Sequence, residues 1–349
     1  MEPRTSSIKI LYNNKDISTD ISKYIKSINY TDNLSGEADD LQITLEDRQG
    51  LWQSAWMPEK GATLEVSIIT SRWNNLESQN DTLRLGYFEI DEITSSEPPR
   101  EVQIKSVSIP DNSGLRGEER SRSWEKTKLY TIASDIATDA GAELYWDTDY
   151  DSVLERVEQT EETDLAFLDK LCSDKGLALK ISDNTIIIFD EEKYEATPAK
   201  ITIVEYGTSY TPEKDMIYIT SIGQHNLSSK IRDVYAACTV TYQKSKKKSK
   251  IEATFSAPDK TGKTLKVKEQ VESTADAERL AKKKLRDKNK NETTGSVSAP
   301  GSFLLLAGTT VNLLGYGKFD GRYLICKAYH DKGPGYTTRI DVRRCLNGY

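Results

Sequence analysis

The chain has 349 residues, 36% hydrophobic and 30% charged, with a formal net charge of −7. That length suits two domains or one large composite, and the acidic balance argues against nucleic acid as a specific partner. No stretch has the ~18 apolar residues of a membrane helix, and Met1 to Lys9 lacks a signal-peptide core, so no membrane anchor is expected.

Tyrosine is plentiful, 18 residues against 6 phenylalanines, which fits half-buried strands with one wet face. Cys172, Cys238, Cys326 and Cys345 lie far apart without paired spacing. Free thiols in a protein made in a reducing cytoplasm are expected, with neither a disulfide framework nor a zinc site.

The first hundred residues alternate with the strand period. Ile8, Ile10 and Tyr12 share a face, as do Leu41, Ile43 and Leu45, then Leu64, Val66 and Ile68, then Leu83, Leu85 and Tyr87. Turn signals separate them at Asn13-Asn14, Ser35-Gly36, Asp47 to Gly50 and Pro58 to Gly61, and Val102 to Ile109 reads as one more strand. Short strands at this spacing predict a barrel or sandwich.

The period then changes. Leu129, Ile132, Ala133, Ile136, Ala137 and Ala140 predict a helix stopped by Gly141. A second helix carries Leu165, Leu168, Leu171 and Cys172, with Thr163 or Asp164 as N-cap and Gly176 beyond its end. Leu177–Ile181 and Thr185–Phe189 form a hairpin around Asp183-Asn184. From about residue 200 strands return, at Ile201 and Ile203, Tyr218 to Ser221 and Val234 to Tyr242. A helix opening at Ser273 or Thr274 interrupts them, its basic last turns (Lys282, Lys283, Lys284, Arg286) suiting a negative helix C-terminus. The fold class expected is mainly β with an α+β insert, divided as residues 1–110, 111–198 and 199–349.

Candidate chemistry is sparse. Asp147, Asp149, Asp151 and Glu158 have the spacing of a calcium loop, but Ser152 stands where the turn glycine belongs and Glu143–Trp146 reads as a strand. A solvated acidic connection is the simpler reading, with calcium as the alternative. The Lys244 to Lys250 run reads as a solvated hairpin tip. His225 and His330 stand without a nearby nucleophile or ligand set. Asp39-Asp40, Glu46-Asp47 and Asp91-Glu92 are acidic neighbours, and neighbours on a strand point to opposite faces, so none is a hydrolytic dyad by itself. No cofactor is expected.

Six stretches together resemble the late control D family of phage tail proteins. They are Ser35 to Arg48 followed by Gly50-Leu51-Trp52 and Trp56; Tyr87 to Glu92 running into Ile104 to Pro110; Leu115-Arg116 with Trp124-Glu125; Thr163 to Leu168 through Leu171-Cys172; Ala277 to Ala281 through Leu285-Arg286; and Gly317 to Tyr323. They span nearly the whole chain in order. The resemblance implies a baseplate hub of a contractile tail, similar also to the hub part of type VI secretion spike proteins. It implies two tube-like β-barrel domains per chain and a homotrimer whose pseudo-six-fold ring joins the six-fold tail tube to the three-fold spike. Asp39, Asp40, Arg48, Trp52, Trp56, Trp124, Phe167 and Asp320 become its packing and assembly signature. The partners implied are further copies of the chain, the tube protein, the spike, other baseplate proteins and a tape-measure protein. Assembly is expected in the bacterial host cytoplasm, in a virion or a headless tail-like particle. No β-helical segment follows Tyr349, so the spike is expected to be a separate chain. A tail-associated cell-wall hydrolase is the alternative function.

Overall fold

The computed structural model describes residues 4–73, 80–108, 115, 118–150, 152–243, 250–271 and 273–349. The N-terminal strands are β1 (Thr5–Tyr12), β2 (Lys15–Asp16), β3 (Ile25–Asn33), β4 (Asp40–Glu46), β5 (Thr63–Ser71), β6 (Asp81–Ser96) and β7 (Glu101–Val107), with one short helix, α1 (Ser18–Ile21). They pair in the order β2-β1-β5-β6-β7-β4-β3. β6 is long enough to serve two neighbours, its first half lying on β5 and its second on β7, with register shifts that bend it between them. Alternation puts Ile28, Ile43, Leu45, Val66, Ile68 and Ile104 on one side, where they form the apolar core of this half.

The middle segment runs β8 (Glu119–Lys128), α2 (Leu129–Ala140), β9 (Glu143–Asp147), β10 (Val153–Thr163), α3 (Asp164–Asp174), β11 (Ala178–Ser182), β12 (Thr185–Phe189) and α4 (Glu191–Ala196). β11, β12 and β9 make a three-stranded sheet, and β8 with β10 a separate antiparallel ribbon. The helices form where the period placed them. Gly141 ends α2 in the left-handed region at φ 65°, and the Thr163 hydroxyl accepts the Ala166 N–H at 3.3 Å to open α3. Asp183 and Asn184 both take positive φ, 51° and 57°, as a two-residue hairpin turn requires. The unit has its own core of Ile132, Ile136, Phe167, Leu168, Ile186 and Ile188.

The C-terminal segment holds β13 (Ile201–Val204), β14 (Ile217–Thr220), β15 (His225–Ser229), β16 (Ala237–Tyr242), β17 (Ile251–Ser256), β18 (Thr264–Val267), α5 (Thr274–Asn289), β19 (Thr293–Pro300), β20 (Thr310–Leu314), β21 (Gly321–Lys332) and β22 (Tyr336–Arg344). β16, β17 and β18 form a sheet of their own, and α5 packs on it through Ala277, Leu280, Ala281 and Leu285. As the sequence reads, α5 lies between strands, and it shares an apolar core with this sheet.

β21 joins the two β-rich halves. Its first residues pair with β20, its last six (Lys327–Lys332) with β3, and β22 runs along its other side. The ladder to β22 shifts register between Ile325 and Lys327, at the point where β21 exchanges one neighbour for the other. The result is one 14-stranded sheet through both halves. The mainly β class with an α+β insert stands. Barrel closure is not recorded in the ladders: among the described residues none joins β1 to β3. In the C-terminal half the chain leaving β14 is tied to β19 by the Ile222 N–H on the Ser298 carbonyl at 3.0 Å.

Candidate functional site

The signature residues separate into buried keys and exposed positions. Asp39 is wholly buried where the loop after β3 meets the insert. Its carboxylate accepts the Asn33 N–H at 2.8 Å, the Ser182 hydroxyl at 2.9 Å and the Lys180 ammonium at 3.2 Å. Lys180, on β11, also donates to the Asn33 carbonyl at 2.6 Å and pairs with Asp32. Asp32 in turn accepts the Ala307 N–H of the C-terminal segment at 2.8 Å. One amine and two carboxylates thus tie all three segments together. Burial pushes the Asp39 carboxyl up, Lys180 pulls it down and Asp32 pushes it up again, leaving it at about 6. Burial draws Lys180 down, but Asp32 and Asp39 outweigh it and hold the ammonium above its ordinary value.

A second joint lies where the insert returns to the C-terminal segment. Glu195 and Glu191 of α4 meet Arg343 of β22, and Glu195 also meets Arg286 of α5 at 2.9 Å. Lys283 pairs with Asp190, and Lys282 donates to Glu192 at 2.7 Å. Burial would raise Glu191, yet Arg343 and Lys290 bring it below the usual carboxylate range. Burial would lower Arg343, and Glu191 and Glu195 hold it above its ordinary value. The basic last turns of α5, besides suiting its negative C-terminus, therefore dock against the acidic stretch Asp190 to Glu195.

Trp124 and Phe167 stack at 5.4 Å with an interplanar angle of 11°, and the Trp124 indole N–H reaches Asp135 at 3.1 Å. They fasten the β8–β10 ribbon to α2 and α3. Beside them Asp164, at the start of α3, receives Arg120 at 3.2 Å, Gln159 at 2.7 Å and Arg122. Asp320 accepts the Tyr316 N–H at 2.6 Å and so closes the turn between β20 and β21.

Trp52 is buried and meets Tyr24 and Trp56 edge-on at 5.9 and 5.5 Å. Trp56 is 41% exposed beside exposed Met57. Trp52 and Trp56, with Tyr12, border a groove of about 710 Å³ over the core of the N-terminal half. Arg48 stands in solvent paired with Glu46, and Asp40 is exposed.

Two of the three acidic pairs face apart, while Asp91 and Glu92 are both exposed. Asp39 points inward and Asp40 outward; Asp47 is buried and accepts the Trp52 N–H at 3.1 Å, while Glu46 pairs with exposed Arg48; Glu92 is taken by Lys105 at 2.7 Å. Of the calcium spacing, Asp147 ends β9, where Lys193 and the Tyr194 hydroxyl hold its carboxyl below the usual range. Asp149 is exposed, Glu158 sits within β10 against Arg156 at 2.8 Å, and Asp151 lies outside the described residues. Among the described residues no three His, Cys, Asp or Glu side chains gather as a metal site. Residues 244–249, which hold all of the basic run but Lys250, are also outside them; the strands flanking the run, β16 and β17, pair antiparallel. All four cysteines are free.

Sequence reasoning did not single out Asp32, Lys180, Glu195 or Arg343. The available signal was a charge inside an apolar strand: Lys180 lies between Leu179 and Ile181, and Arg343 follows Val342.

Comparisons with known proteins agree with this arrangement. The family described as phage tail baseplate hub (GPD) matches residues 110–333. The probable baseplate hub protein of Escherichia phage P2 is 30% identical over 173 residues, 49% of this chain and 42% of that protein, so the match spans less than half the relative's length. Among solved structures, the 43 kDa tail protein of prophage MuSo2 from Shewanella oneidensis aligns at a TM-score of 0.68 and 13% identity, covering 97% of this chain and 98% of that one. The tail protein from Neisseria meningitidis MC58 aligns at 0.70, also with 13% identity, over 97% and 96%. At such identity the likeness is one of fold, and the family match carries the assignment: this chain belongs to the phage tail baseplate hub family.

Proposed function

We propose that the chain is the structural hub at the tip of a contractile tail, joining the six-fold tube to the three-fold spike as a homotrimer. The observation that carries this reading is the single sheet through both β-rich halves, fastened by β21 on β3, with the insert pinned to both by Asp32, Lys180 and Asp39. A part that transmits force between tube and spike needs such halves to move as one. The division into residues 1–110, 111–198 and 199–349 belongs to this proposal. It is supported by separate apolar cores in the N-terminal, middle and C-terminal segments.

The signature residues take two roles. Asp39, Trp52, Trp124, Phe167 and Asp320 hold the chain's own parts together, whereas Asp40, Arg48 and Trp56 stand where neighbouring tail proteins can reach them. The chain works by shape and contact, without catalysis, and is assembled in the host cytoplasm into a virion or a headless tail-like particle. The test has two arms. Particles made without this chain should lack joined tubes and spikes, with assembly restored by the wild-type gene. Purified protein should leave peptidoglycan intact, and turnover of that substrate would replace the hub reading with the hydrolase.

A further inference from the structure

Two buried titratable side chains meet where β3 lies on β21. His330, on β21, is opposite Tyr30 on β3 and wholly buried. Its ring stacks with those of Tyr30 at 5.9 Å and Tyr336 at 6.0 Å, and Nδ1 lies 2.6 Å from the Tyr336 hydroxyl. The hydroxyls of Tyr336 and Thr338 are its side-chain hydrogen-bond partners, so a charge on the ring has no counter-ion in contact among the described residues. On the far side of Tyr30, the tyrosine hydroxyl is 3.5 Å from the Asp39 carboxylate. There two carboxylates share one ammonium, an excess of one negative charge in a closed space.

We propose that Asp39 and His330 form a compensating pair that keeps the join between β3 and β21 at near-constant strength through mildly acid pH. Burial disfavours the charged form of each group, and the two charged forms exist on opposite sides of their titrations. The Asp39 carboxyl is raised to about 6, so its stabilising contribution is full below the ordinary carboxylate value near 4 and is lost as pH rises through 6. Burial draws His330 down to about 4 from its ordinary 6.5, while Asp32, Asp331 and the Leu305 backbone pull the other way. Its contribution is therefore present above 6.5 and lost as pH falls towards 4. The two windows overlap and their signs oppose.

The surroundings can accept both proton states. Ser182 donates to Asp39 now, and its hydroxyl can turn to accept once the carboxyl is protonated. The other charged or titratable groups around the pair are Lys180 from the insert, Asp32 and Tyr30 on β3, Asp40 on β4, Asp331 on β21 and Tyr336 on β22; Lys327 is engaged by Glu37. This inference concerns the chain's own join and does not depend on the hub role.

The test is equilibrium unfolding of the full chain and of the Asp39→Asn and His330→Phe variants between pH 5 and 7. Each variant is read as a ratio of unfolding constants to wild type, which cancels titrations common to both. The Asp39→Asn ratio should fall about tenfold as pH rises from 5 to 7, and the His330→Phe ratio should rise by about tenfold or more. Ratios that stay constant, or that move in the same direction, overturn the pair. If a variant does not fold, isotope-edited titration of the wild type decides: support is a carboxyl titrating near 6 and an imidazole still neutral at pH 5. Ordinary values for both groups would overturn it.

Discussion

The insert is held at two charged joints that handle burial in opposite ways. At the first, Asp32 and Asp39 share the single ammonium of Lys180, and the Asp39 carboxyl rises. At the second, Glu191 has both Arg343 and Lys290, Glu195 has both Arg286 and Arg343, and the Glu191 carboxyl falls although it too is buried. Burial is common to both, so the ratio of partners sets the direction. The second joint is a balanced ionic network, costly to break and insensitive to proton uptake near neutrality. The first is short of one positive charge, so its own strength changes with pH, the change that His330 is proposed to offset.

The largest expected effect follows from removing a buried cation that two carboxylates share. Arg343→Met leaves Glu191 only Lys290 and Glu195 only Arg286, and should cost about 3–5 kcal/mol in urea unfolding, with little relief between pH 7 and 5 because each carboxylate keeps one cation. Lys180→Met should be comparably damaging at pH 7, but a proton on Asp39 can partly replace the missing charge. A clear recovery at pH 5 is therefore expected, and equal damage at both pH values would erase the distinction between the joints. Gly176→Ala tests how closely the second joint is packed. The glycine has φ +70°, and an added Cβ would sit 2.4 Å from the Lys283 Cβ. A loss of roughly 1–3 kcal/mol is expected from strain and overpacking, and unchanged melting would show that α5 can shift away. The smallest effect is a control outside both joints. Thr163→Ala removes the α3 cap and should cost about 1 kcal/mol at every pH, checked by the same denaturant titration.

What the sequence disclosed was local. The Asp183-Asn184 hairpin, α2 with its Gly141 stop, and the caps of α3 and α5 depend on residues a few positions apart; the structure places the first two as read and chooses Thr163 over Asp164 and Ser273 over Thr274. The β8–β10 ribbon escaped because its strands are charged and largely solvent-facing, with Arg120, Arg122, Glu125, Arg156 and Glu158 hiding the alternation. Much of what read as an acidic connection after Asp147 is strand β10. The basic end of α5 was explained by its own dipole because its acidic partners on α4 lie about 90 positions earlier. The join of β3 to β21 pairs residues some 300 positions apart, such as Asn29 with Asp331, so nothing in either strand alone announces it. Resemblance drew attention to Asp39, but its role appears only when Lys180 and Ala307 are brought to the same place.

The most direct measurement of the hub role is a three-dimensional reconstruction of the intact tail tip, with copy number set independently by mass. Three copies, forming a ring between tube and spike and fitting the continuous sheet without separating its halves, are the expected result. Six copies per tip, or density for this fold on the sheath or fibres instead of the central axis, would contradict it.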